Sequence, residues 1–144
     1  MIRRSGAVLT VLAIAGLAAA IYLAATKLLG EPPVCGPIKG CEDVAASQYS
    51  TVAGIPVALF GVGYSIVLIG LSAIWWRLAD RRALLAAYAL GLLGCFVVAG
   101  LTYLELFVIH AICIYCVAYG LTIIAGFVIA AVTLRGTGSP ESAD

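Results

Sequence analysis

Residues 106–134 read LFVIHAICIYCVAYGLTIIAGFVIAAVTL, 29 residues without a full charge. A bilayer core is crossed by roughly 20 apolar residues coiled as an α-helix, the conformation that pairs its own backbone groups where no water can. Three more such stretches precede it: 22 uncharged residues between Arg4 and Lys27, 33 between Asp43 and Arg77, and 22 between Arg82 and Glu105. The whole 144-residue chain is 64% hydrophobic and 10% charged, with a mean hydropathy of +1.16, well outside the usage of a soluble domain. A soluble enzyme is thereby excluded, and a net charge of +1 provides no basic field for nucleic acid. The expected fold class is all-α, an integral membrane four-helix bundle with spans near residues 6–28, 52–76, 83–105 and 111–134 and an outer loop between helices 1 and 2. Residues 1–135 form this four-transmembrane-helix domain, and 136–144 read as a disordered cytoplasmic tail. The basic start and Ala18-Ala19-Ala20 have the parts of a signal peptide, but the apolar run continues to Leu29, which suits an uncleaved first span.

Charge sets the expected orientation, because short loops rich in Lys and Arg tend to stay on the cytoplasmic side. With four spans, Arg3, Arg4, Arg77, Arg81, Arg82 and Arg135 share one side, whereas Lys27 and Lys39 share the other. Both termini are therefore expected in the cytoplasm, in a multi-pass plasma (inner) membrane protein. Trp75 and Trp76 beside Arg77 read as an interfacial anchor. The one long polar segment, roughly Gly30 to Ser50, opens with Glu31-Pro32-Pro33, an extended exit from the first helix. After Cys41 the run from Glu42 to Tyr49 suits a short helix lying on the membrane surface.

Four of the five cysteines form two spaced pairs, Cys35 with Cys41 in this loop and Cys113 with Cys116 at the start of the fourth span. The topology brings both to the periplasmic or extracellular side, where disulfides persist. A pair three apart at a helix start shares one face. There the helix dipole favours a thiolate and apolar surroundings oppose it, a balance the sequence leaves open. Two structural staples, or a zinc site built on the Cys-x-x-Cys spacing, are the alternatives; the apolar location disfavours zinc, and no metal is expected. Cys95, in the third span beside Gly94, reads as a small packing residue. A staple gains nothing from a place inside the membrane, whereas a dithiol there is within reach of a quinone dissolved in the bilayer. Electrons would pass from a partner to the loop pair, to the membrane pair, to quinone.

This pattern resembles the vitamin K epoxide reductase family, in particular its bacterial quinone-linked disulfide-forming members. The resemblance rests on Cys35 and Cys41 in a first outer loop, the segment from Cys41 to Tyr49 followed by Gly54-Ile55-Pro56, and Cys113-Ile114-Tyr115-Cys116 on the last helix. It covers essentially the whole chain. The resemblance implies that Cys35 faces the partner, that Cys41 passes electrons to Cys113, and that Cys116 is the thiolate beside the quinone ring. Ser47 matches the family's loop serine, its hydroxyl holding the loop helix or donating to a quinone oxygen. Phe60, Tyr64, Tyr115 and Tyr119 are candidates for the wall of the quinone pocket, with Ser47, Phe60, Cys116 and Tyr119 as the expected contacts. Ala118-Tyr119-Gly120 departs from the animal members and moves Tyr119 one place toward the cysteines, which sets epoxide reduction apart as the alternative activity. Glu105 and His110 lie near the outer ends of spans three and four, where a proton must be exchanged when quinone becomes quinol, and are read first as boundary residues in contact with water. The implied activity is that of a thiol:quinone oxidoreductase supporting disulfide bond formation, with ubiquinone, menaquinone or phylloquinone as acceptor. The implied donor is a separate DsbA-like or other thioredoxin-fold protein. An enzyme of the DsbB type would carry its pairs in a different order, and a non-enzymatic, disulfide-stapled membrane subunit would not exchange Cys41 with Cys113.

Overall fold

The structure, a computed structural model, describes residues 2–34 and 40–137. Its helices are α1 (Ile2–Leu29), α2 (Gly40–Ala46), α3 (Val57–Leu78), α4 (Arg81–Tyr103) and α5 (Ile114–Thr137). Four segments are long and apolar enough to cross a membrane: Arg3–Leu29, Val57–Leu78, Arg81–Ile109 and Ile114–Thr137. The chain is an all-α, multi-pass membrane protein. α1 packs against α3 and α5, and α4 packs against the same two helices, which closes the four spans into a ring.

The second span begins at Val57, later than the expected 52. The intervening residues pair as a hairpin of β1 (Thr51–Val52) and β2 (Ile55–Pro56), with Thr51 opposite Pro56 and Val52 opposite Ile55. Its turn residues Ala53 and Gly54 have φ values of 53° and 81°, the positive pair that lets a two-residue turn follow the twist of its strands. Apolar content alone does not separate such a hairpin from the first turn of a helix. The third span overruns its expected end, because α4 continues into a π-helical turn, Leu104–Ile109. α5 likewise runs to Thr137, beyond the expected boundary at 135; the rest of the expected tail, 138–144, lies outside the described residues.

At the end of the bundle opposite the long loop, α3 closes at Ala79, whose φ of 52° turns its N–H back to the Trp75 carbonyl at 2.9 Å. Asp80 then caps α4 by accepting from the Arg82 N–H at 2.9 Å, satisfying one of the free donors of a helix start. The two tryptophans do not act as a pair. Trp75 is 2% exposed, packed with Leu9, Leu84 and Ala130, its indole N–H aimed at the Ser5 hydroxyl 3.5 Å away, while Trp76 stays exposed. Successive helical positions point about 100° apart, so one of two neighbours faces the core. Elsewhere the helices meet on small residues, Ala13, Ala20, Ala24 and Ala87 among them. In lipid the drive to associate comes from close packing, and small side chains allow it.

Candidate active site

Two local devices dock the long loop on the bundle. Lys27, near the end of α1, donates to the Ala45 carbonyl and to the Ser50 hydroxyl at 2.8 Å, so one ammonium ties the end of α2 to the first span. Tyr22 of α1 and Tyr115 of α5 meet with ring centroids 4.9 Å apart and grip one residue of the loop: the Val34 N–H donates to the Tyr22 hydroxyl at 2.9 Å and Tyr115 donates to the Val34 carbonyl at 2.7 Å. Tyr115 therefore holds the loop and is not part of the expected quinone wall. Cys35, the next residue and the one expected to face a partner, lies outside the described residues.

The start of α2 rests directly on the chain leading to Cys113. A Cβ at Gly40 would strike the main chain of Ile112, so only glycine brings Cys41 this close. Gly40→Ala is expected to cost about 1–3 kcal/mol of stability, as overpacking against backbone does. It is also expected to lower the yield of a Cys41–Cys113 cross-link under oxidising conditions. Unchanged melting and cross-linking would show that the contact is dispensable.

Cys41 and Cys113, each 1% exposed, and the half-buried Cys116 all line a cavity of about 290 Å³ between the loop and the bundle. Cys41 is held in a disulfide, whereas Cys113 and Cys116 are free thiols. Cys113 sits just ahead of α5, and its carbonyl accepts from the Val117 N–H at 3.0 Å, which makes it the residue that opens the helix. The Cys116 thiol donating to the Cys113 sulfur draws Cys113 down from an ordinary 9.0 to about 7. Burial and the Glu105 carboxylate push it up, and the main-chain N–H groups of Cys116 and Tyr115 pull with the thiol. The balance that the sequence left open thus falls toward the thiolate, chiefly through its own partner cysteine.

Ser47, Phe60 and Tyr119, the other expected contacts, line the same cavity, as does Tyr64. Their hydroxyls are engaged with the main chain: Ser47 donates to Val44 at 2.7 Å, Tyr64 to Leu90 at 3.1 Å and Tyr119 to Gly61 at 3.0 Å. Ser47 thus holds the loop helix, the first of the two roles considered for it. Cys95 is separate, in a groove with Val98, Phe107 and Ile124. The cavity surface is mostly apolar, with Lys27 and Glu105 the charged residues among the described ones on its wall, and its size is at the lower end of small-molecule sites, a fit for a flat, uncharged ring.

Glu105 corrects the expectation of a boundary residue in water. It is 6% exposed and faces the cysteines, accepting from the Cys113 N–H at 3.5 Å and lying within hydrogen-bond reach of the Cys116 thiol. The π-helical turn positions it. Its own carbonyl accepts from the N–H groups of both His110 and Ala111, and His110, at φ 56°, turns the chain toward Cys113 and stays exposed. Lys27 and Tyr22 are not among the expected site residues, and Glu105 is there only as a boundary residue with proton exchange as the lesser reading. The one signal in the sequence was a lone carboxylate within two uncharged runs, since an ionisable group at membrane depth usually has a function.

Fold and site together define a class: a four-span membrane protein with a disulfide and a dithiol facing each other across one apolar cavity at one end of its bundle. The model of the vitamin K epoxide reductase family matches residues 7–131, and the chain belongs to that family of membrane oxidoreductases associated with quinones. No curated protein matches the chain.

Proposed function

We propose that this chain is a membrane thiol:quinone oxidoreductase that takes electrons from a reduced thioredoxin-fold protein and supports disulfide bond formation. The observation that carries this reading is the opening of Cys41, Cys113 and Cys116 onto a single apolar cavity. A partner dithiol reduces the loop disulfide, and Cys41, as thiolate, attacks Cys113 of an oxidised membrane pair, releasing Cys116. A second loop thiol, assigned to Cys35, then displaces Cys113, so that the loop is again a disulfide and the membrane pair holds two electrons as thiols. The observed arrangement, with Cys41 in a disulfide and Cys113 and Cys116 free, corresponds to this charged stage. A bound quinone supplies the two-electron, two-proton acceptor. Phe60, Tyr64 and Tyr119 would hold its ring, and Cys116 would face it from the loop end. The excess of Arg at the opposite end of the bundle supports placing the cysteines on the periplasmic or extracellular side.

The test is quinone absorbance followed with purified full-length protein, a reduced thioredoxin-fold donor and a short-tailed benzoquinone. Wild type and Cys95→Ser are expected to consume quinone at equal rates. No consumption above that of the donor alone overturns the assignment, and loss in Cys95→Ser overturns the electron path.

A further inference from the structure

Quinone reduction needs protons as well as electrons, and the cavity has few groups free to move them. The hydroxyls of Thr26, Ser47, Ser50, Tyr64 and Tyr119 all donate to main-chain carbonyls. Of the described residues on the wall, two carry full charges, Lys27 and Glu105. Lys27 is spent on Ala45 and Ser50. Glu105 is buried to 6% exposure on a π-helical turn, a device common at functional sites, and it faces the reacting thiols. The Cys116 thiol has two acceptors in reach, the Cys113 sulfur and the Glu105 carboxylate.

From this arrangement, and resting on the function proposed above, we infer that Glu105 is a catalytic base that takes the Cys116 proton as that sulfur reacts and returns it to a quinone oxygen. Over the whole step two thiols and a quinone become a disulfide and a hydroquinone: two S–H bonds break, one S–S bond forms, two electrons reduce the ring and two O–H bonds form. Cys113 gives up its proton to solvent as it forms the thiolate, and an equivalent proton enters from solvent for the second oxygen. Cys116, half-buried on the cavity wall and flanked by Cys113, has the carboxylate as its route. The other titratable groups around the cavity are Lys27 from α1, Tyr49 from the loop, Tyr64 from α3, and Cys113 and Tyr119 beside or on α5, Cys41 of α2 being held in a disulfide.

Glu105→Gln isolates the role, because the amide oxygen still accepts from the Cys113 N–H but cannot take a proton. It is expected to slow single-turnover reduction of a short-tailed benzoquinone by the dithiol protein about a hundredfold, the scale of a lost general base, and to change Cys41–Cys113 exchange far less, through loss of the charge beside Cys113. A readout without quinone uses Cys113→Ala protein and a short N-alkyl maleimide. Alkylation of Cys116 is expected to fall about a hundredfold when Glu105→Gln is added, and to recover in part with Glu105→Asp. Rates within about threefold of the Cys113→Ala parent overturn the inference. A third measurement does not depend on a folded Glu105 variant. In Cys95→Ala/Cys113→Ala protein with the loop pair oxidised, Cys116 carries the last S–H group. Its infrared stretch is expected to be lowered and broadened by the carboxylate, and a free-thiol frequency overturns the inference. Wild type that reduces no quinone would overturn the proposed function while the alkylation and infrared results still decide the role of Glu105.

Discussion

Cys116→Ser is expected to lower donor-dependent quinone reduction by on the order of a thousandfold or more, the scale seen when a covalent nucleophile is removed from an enzyme. The second half of the result is more diagnostic than the loss. With Cys116 gone, Cys113 still forms a thiolate and still rests against α2, so it attacks Cys41 of the loop disulfide. Cys35, released by that attack, resolves the product in the step proposed above, so adding Cys35→Ser traps it, and a Cys41–Cys113 disulfide accumulates when Cys35→Ser/Cys116→Ser protein is oxidised. Peptide mass spectrometry without reduction reads it directly. Rapid quinone reduction by Cys116→Ser would mean that the thiol on the cavity wall is not the electron donor. A rate loss without the mixed disulfide would mean that the loop and membrane pairs do not exchange. Cys95, in its separate groove, is the internal control for the loss of a thiol as such.

The reactivity of Cys113 is expected to titrate with a midpoint near 7, the value set by the Cys116 thiol, burial and the N–H groups at the start of α5. The sign follows from the thiolate being the nucleophile. Above the midpoint the rate is level, and below it the rate falls about tenfold per pH unit. Cys116→Ala removes the largest of these influences, and the midpoint is expected to move up toward the ordinary 9.0. At pH 7 the thiolate fraction then drops from about a half to about one in a hundred. A more basic sulfur is intrinsically a better nucleophile, which recovers part of the loss, so the net fall at pH 7 is about fivefold to tenfold. Cys116→Ser keeps an O–H donor and is expected to hold the midpoint near 7. Rates of iodoacetamide labelling at Cys113 across pH 5–10 measure all three proteins. A midpoint near 9 in wild type, or no shift in Cys116→Ala, would assign the activation to another source.

Where the sequence reading and the cavity lining agree or part, the reason is physical. Ser47, Phe60, Cys41, Cys113, Cys116 and Tyr119 all reach one cavity because the expected topology delivers the loop and the start of the last span to the same end of the bundle. Tyr115 was assigned to the quinone wall and instead grips Val34 together with Tyr22. Aromatic type does not say which side of a helix faces a ligand. Glu105 reads first as a boundary residue in water because it lies near the end of a span. A π-helical turn changes the angular position of every residue within it, and this turn directs the carboxylate inward.

By itself the sequence determined the class of solvent and the number of crossings, because four runs of 20 or more uncharged residues have one stable answer in a bilayer: helices that pair their own backbone. Counting crossings also leads to the expectation that the loop and the start of the last span meet at one end of the bundle, where Cys41, Cys113 and Cys116 line one cavity. The tertiary structure alone decided which groups touch. Gly40 against Ile112, Lys27 against Ala45 and Ser50, and Glu105 against Cys113 join residues 8 to 72 positions apart. Such contacts depend on helix rotation and on local turns of a few degrees per residue, to which apolar periodicity in a lipid-facing chain is nearly blind, because lipid and protein core accept the same side chains.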